Sequence, residues 1–189
     1  MTKRMSVKAI VAIGMLSSIA YLLMLINFPL PLFPNFLLID FSDIPALIAA
    51  LIFGPAAGIL VSFFKNALNY FATGSATGIP VGHIANFLAA ILFVLPTYYV
   101  YNKMKTRKGM TLALIVGTVS MAVMMSILNY VFILPAYTSL LKFPDMRNLV
   151  VPAILPFNIL KGVIMSSIFM LLFIRMQTWI NKLTTVKSV

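Results

Sequence analysis

The sequence predicts an all-α membrane protein with six transmembrane helices and a long apolar outer loop between helices 1 and 2. Composition is the first reason. The chain is 62% hydrophobic and only 9% charged, whereas a soluble domain carries about 25% charged residues. Segregation of charge is the second. Residues 9–39, 66–102 and 109–141 hold no Asp, Glu, Lys or Arg, and each run exceeds the roughly 20 residues needed to span a bilayer. The third is where the basic residues fall. Lys3, Arg4 and Lys8 precede the first span, Lys103, Lys105, Arg107 and Lys108 share one loop, and Arg175, Lys182 and Lys187 lie near the C-terminal end. Six crossings place all of them on one side, which the positive-inside rule makes cytoplasmic, together with both termini. The other side keeps Lys142 and Arg147 with Asp40, Asp43 and Asp145. The net charge of +11 is therefore topological and does not point to nucleic acid.

Span 1 is predicted over Val7–Asn27. Its basic start resembles a signal peptide, but the apolar stretch from Ala9 to Ile26 outruns the roughly 7–15 residues of such a segment, so it reads as a retained span. Phe28–Asn35 is a loop, because Pro29, Pro31 and Pro34 cannot continue a helix. That loop is unusually apolar for an outer one, which implies that it folds over something or dips into the interface. Span 2, Phe41–Phe53, is short: its 13 residues rise roughly 20 Å against a hydrocarbon core of about 30 Å. Gly54-Pro55 turns the chain into span 3, Pro55–Phe71. The outer loop Ala72–Gly78 leads to span 4, Pro80–Tyr101, and the basic loop to span 5, Met110–Leu134, which Pro135 is expected to end. Tyr137–Asn148 reads as a second outer loop. Span 6 begins near Pro152–Pro156 and runs to about Arg175. Pro80 and Pro156 suit the first turns of their helices. The 189 residues read as one domain, with no dividing linker and no repeat.

Lys161, in Pro156-Phe157-Asn158-Ile159-Leu160-Lys161-Gly162, is the most informative position. An ammonium at membrane depth costs roughly 2.5–3.5 kcal/mol, so it faces a protein interior or cavity, or else snorkels to headgroups. Asn158 lies about one turn earlier on the same face. Counting from the outer helix ends places Asn86, Asn129 and Lys161 at a similar depth, roughly 7–10 Å inside, with Asn66 and Asn69 near the outer end of span 3. Each Asn alone is compatible with interhelical bonding worth about 0.6 kcal/mol. Their shared depth, the lysine and the apolar loop favour an outward-opening cavity. Amides supply both donors and acceptors to a neutral polyfunctional solute, and Phe157, Tyr130, Phe87 and Tyr70 are candidate flat walls.

Asp40 is a site candidate, able to counter Lys161 or to accept from a ligand hydroxyl. Asp43 is expected to cap the helix it precedes. Lys65 has three readings: snorkelling, a headgroup contact, or pairing with Asp40 or Asp43. His83 is expected to be an interfacial or packing residue. With no cysteine, one histidine and three acids, the chain holds no thiol chemistry, His/carboxylate metal cluster, nucleophile–base pair or Walker A loop. Neither enzyme activity nor a metal or cofactor is expected, and active transport would draw on a separate ATPase or an ion gradient.

Three segments carry a family resemblance: Asp40-Phe41-Ser42-Asp43-Ile44-Pro45, Phe53-Gly54-Pro55-Ala56-Ala57-Gly58, and the run from Pro156 to Gly162. With the length, the six spans and the apolar loop, the chain resembles the RibU-type, riboflavin-specific S components of energy-coupling-factor (ECF) vitamin transporters. The resemblance implies riboflavin as ligand, bound from outside between the first outer loop and spans 4–6. It also implies a transmembrane T component and two cytoplasmic ATPases as partners within the lipid bilayer. Asn86, Asn129, Asn158, Lys161 and Asp40 are then expected to hold polar groups of the ligand, with Phe157 and Leu38 against its ring. Leu30, Pro31, Leu32, Phe33, Pro34, Asn35, Phe36 and Leu37 are expected to close the site. Small residues on span 1, here Ala9, Ala12, Gly14, Ser17, Ser18 and Ala20, would face the T component. Span 1 contains no Ala-x-x-x-Ala, which departs from the family's pattern. The residues alone leave other readings open: an S component for thiamine or biotin, an autonomous facilitator, or a membrane enzyme.

Overall fold

The computed structural model describes residues 6–75 and 78–185, with side chains to Gln177. Lys3, Arg4 and Lys187 lie outside the described residues, as does the side chain of Lys182. Seven α-helices and one two-stranded ribbon make up the described chain. Helix α1, Val7–Leu25, starts at Ser6, whose hydroxyl accepts from the Ala9 amide at 3.3 Å. Strands β1, Phe28–Pro29, and β2, Leu38–Ile39, pair antiparallel with Phe28 opposite Ile39. The ribbon pins both ends of the predicted loop, and two turns order its interior: Phe33 N donates to Leu30 O at 3.0 Å, and Leu37 N to Pro34 O at 2.9 Å.

Helix α2, Asp43–Phe53, packs against α1, α3, Pro55–Thr73, α4, Val81–Met104, and α7, Leu155–Thr185. It is apolar all round, as a helix enclosed by others must be; Ala46, Leu47, Ala49 and Ala50 are wholly buried. That position explains its shortness. Gly54, at φ 101°, ends α2 in a conformation that suits glycine, and Pro55 opens α3 where its missing N–H costs nothing. Helix α4 continues through Pro96. Thr106 caps α5, Arg107–Leu128, by accepting from Gly109 N at 2.9 Å.

Two departures from expectation follow from one proline. Pro135 does not end the fifth span. A π turn, Asn129–Ile133, carries the chain directly into α6, Leu134–Leu141. A wider turn shifts the hydrogen-bond register, which lets a residue lacking N–H sit in a continuing helix. The outer connection is therefore shorter than Tyr137–Asn148. Tyr137–Leu141 is helical, Arg147–Leu149 forms a 3-10 turn, and a second π turn, Val150–Ile154, precedes α7.

Among the described residues, four stretches are long and apolar enough to cross a membrane: Val7–Leu25, Val81–Met104, Arg107–Leu141 and Arg147–Gln177. Helices α4, α5 and α7 form a tight seam. A Cβ at Gly117 on α5 would stand 2.7 Å from Phe93 O on α4, inside normal contact. Gly117→Ala is therefore expected to lower stability by about 1–3 kcal/mol through overpacking. Gly14→Ala, where an added Cβ meets nothing within 4 Å, should shift it by less than about 0.5 kcal/mol. Thermal unfolding in detergent reads both.

Candidate functional site: a polar cavity beside a buried ion cluster

A cavity of about 350 Å³ opens between the ends of α3, α4, α5 and α7, within the size range of small-molecule sites. Its floor is ionic. Lys161, 3% exposed, descends α7 and points its ammonium at Asp40 Oδ2, 3.5 Å away, and Asp43 Oδ2, 3.9 Å away. Lys65 on α3 is fully buried and pairs with Asp43, while also donating to the Ser42 hydroxyl. Ser42 in turn donates its hydroxyl and, at 2.9 Å, its amide to Asp40 Oδ1. Asn86 Nδ2 donates to Asp40 Oδ2 at 3.1 Å. Two ammonium groups thus balance two carboxylates in a water-poor bundle, where an unpaired charge would be far costlier.

The local chain explains this convergence. The β ribbon ends at Ile39, so Asp40 and Ser42 form the step into α2, with both side chains buried. Asp43 is the first residue of that helix, and the expected cap is not what it does: it answers Lys65, which settles the three readings of that lysine. Asn129 and Asn158 spend one amide hydrogen each on the carbonyl four residues back, Met125 O and Ile154 O, both at 2.8 Å. Each keeps its oxygen and second amide hydrogen for other partners.

The seven residues singled out from sequence for ligand contact, Leu38, Asp40, Asn86, Asn129, Phe157, Asn158 and Lys161, all line this cavity. Of the loop, Phe36 and Leu37 line it, and Phe33 sets its ring edge-on to Phe157 at 5.5 Å. Leu32 is 92% exposed at the tip. Three proposed walls are elsewhere. Phe87 packs on Phe63 at 6.1 Å, Tyr70 on His83 at 5.5 Å, and Tyr130 is exposed beneath the Arg147 guanidinium at 5.6 Å. Arg147 also grips Asp145, holding that carboxyl below its ordinary pKa by hydrogen bonding. Asn66 donates to Ser62 O at 2.8 Å, within its own helix.

His83 was expected at the interface or in packing, yet it lines the cavity beside Asn69, Nε2 to Oδ1 at 2.9 Å. Its spacing of three from Asn86 was the available signal. On α1, Ala9, Ser17 and Ala20 are buried against the chain's own helices, Ala12 is half-buried and Gly14 exposed, and Gly14 and Ser17 edge an apolar groove between α1 and α3.

A helical bundle apolar enough for a membrane, enclosing a cavity lined by amides, an ion cluster and an aromatic edge, has the build of a membrane protein with a small-molecule-sized pocket. A sequence profile described as "ECF transporter, substrate-specific component" matches residues 8–173, and the chain belongs to this family. It is 50% identical over 183 residues to "Riboflavin transporter FmnP" of Bacillus subtilis (strain 168), covering 94% of this chain and 96% of that one. To "Riboflavin transporter RibU" of Staphylococcus aureus (strain TCH60) it is 41% identical, covering 93% and 94%. A solved structure reported as "Structure and mechanism of the S component of a bacterial ECF transporter" superposes with a TM-score of 0.80 at 42% identity, over 91% of this chain and 96% of that one.

Removing one partner of a buried ion pair leaves the other uncompensated, at a typical cost of about 3–5 kcal/mol. Lys65→Met is expected to lose stability on this scale, read as a drop in folded, monodisperse protein and in melting temperature.

Proposed function

We propose that this chain is the riboflavin-capturing subunit of an ATP-driven vitamin uptake transporter, binding its ligand without chemically changing it. The observation that carries the reading is the convergence of Asp40, Asn86, Asn129, Asn158 and Lys161 on one cavity edged by Phe157. A fused flavin ring needs a flat apolar contact and donors for its ring acceptors, and its side chain needs several hydrogen-bond partners. In this assignment Lys161 donates to the ring edge, Asn129 and Asn158 bracket it, and Phe157 and Leu38 meet its face. The segment Leu30–Leu37 closes over it, led by Phe36 and Leu37.

The same reading extends to topology. The chain acts as one unit of six spans, α1, α2, α3, α4, α5–α6 and α7, with both termini cytoplasmic. Support comes from Lys103, Lys105, Arg107 and Lys108, which lie at the α4–α5 connection, the far end of α4 from the cavity-lining Gly82 and His83. Ligand then enters from outside. Energy comes from a transmembrane T component and two cytoplasmic ATPases, since the sequence holds no nucleotide-binding loop of its own. Gly14 and the neighbouring surface of α1 are the proposed contact with the T component.

Mild purification followed by native mass spectrometry and absorption spectroscopy tests the ligand directly. A co-purifying yellow flavin is expected; another vitamin in its place would refute the assignment. Lys161→Met should weaken riboflavin binding about 10–100-fold, the worth of a charge-assisted hydrogen bond, measured on the folded fraction, because losing Asp40's ion partner also lowers the melting temperature. Unchanged affinity in titration calorimetry would remove Lys161 from the contact.

A further inference from the structure

The cavity has a second polar wall, on α4, which joins the ion cluster only through the Asn86–Asp40 hydrogen bond. His83 and Asn86 lie three positions apart on α4, hence on one face, and both line the cavity. Their neighbours fix their hydrogen-bond roles. Asn86 Nδ2 is committed to Asp40 Oδ2 at 3.1 Å, and a carboxylate only accepts, so Asn86 Oδ1 is left as a lone-pair group. His83 Nε2 lies 2.9 Å from Asn69 Oδ1, which also only accepts. The imidazole hydrogen is therefore on Nε2, and Nδ1 is a bare acceptor. The Tyr70 ring, edge-on at 5.5 Å, holds the imidazole in that orientation. Both His83 Nδ1 and Asn86 Oδ1 are buried and lack a hydrogen-bond partner in the protein.

Two buried acceptors about one helical turn apart ask for two donors. Lys161, by contrast, has only donors to offer. The ring edge of a flavin is mostly acceptors, with a single N–H, and suits the lysine. Its polyol chain carries successive hydroxyls, each with a hydrogen to give, and suits the acceptors. Building on the flavin reading above, we infer that His83 and Asn86 form an acceptor pair that receives hydroxyl hydrogens of the ligand's polyol chain. The pair makes the chain a specificity element: a flavin without it leaves both acceptors unanswered.

The test compares riboflavin with lumiflavin, which keeps the ring and replaces the polyol chain with a methyl group. Binding is measured by fluorescence quenching on the full-length protein in detergent. Wild-type protein should prefer riboflavin. His83→Phe, which keeps a ring against Tyr70 but removes both nitrogens, should weaken riboflavin about tenfold, or about 1.4 kcal/mol, and lumiflavin by less than about twofold. His83→Gln restores an acceptor and should retain most of the preference. Equal losses for the two ligands, or no loss for either, overturn the acceptor pair while leaving the flavin reading intact. If wild-type protein binds neither flavin, the ligand reading falls and the pair falls with it. Should His83→Phe not fold, His83→Gln and Asn86→Ser decide: an unchanged riboflavin-to-lumiflavin ratio in both overturns the inference.

Discussion

Burying four charged side chains at membrane depth is the constraint around which this molecule is organised. Lys65, Lys161, Asp40 and Asp43 come from α3, α7 and the step into α2, and none is tolerable there alone. Their mutual neutralisation requires α2 to sit among the other helices, with its N-terminus directly under the loop. That placement makes α2 apolar on every side and lets it be short, because lipid never has to be spanned by its surface. The cavity forms where this step, the ribbon and the ends of the longer helices leave room. Cavity wall and structural anchor are thus built from the same groups, so the lysine that meets the cavity is held by carboxylates that also hold the fold.

The longer helices were legible because uninterrupted apolar runs have few other solutions in a membrane. The candidate site was legible for a related reason: a lysine and several amides at one depth are expensive to place independently, so converging on a cavity satisfies them together. The partner of Lys65 was not legible, since Asp43 lies far away in sequence and only the packing of α2 on α3 brings them together. Likewise the ribbon is two residues per strand, too short to carry an alternation pattern.

Proline misled in one place for an instructive reason. Pro135 stops a regular helix, and the sequence offers no sign of the π turn that accommodates it. Such turns depend on what surrounds them, and the two among the described residues border the cavity: Asn129 begins one, and the other ends just before the turn bearing Phe157 and Asn158. The wider register sets where these side chains point. His83 was misjudged differently. A single histidine near a helix end gives no direction by itself, and its relation to Asn69 exists only once α3 and α4 are packed.

The equality of charges within the cluster bears on energetics beyond folding. A lone lysine carried through the full voltage drop of a membrane would gain or lose about 2.3 kcal/mol per 100 mV. Two ammonium and two carboxylate groups moving together do no such electrical work. Displacing this cluster along the bilayer normal therefore moves no net charge through the field, and the membrane potential couples to it only through its dipole.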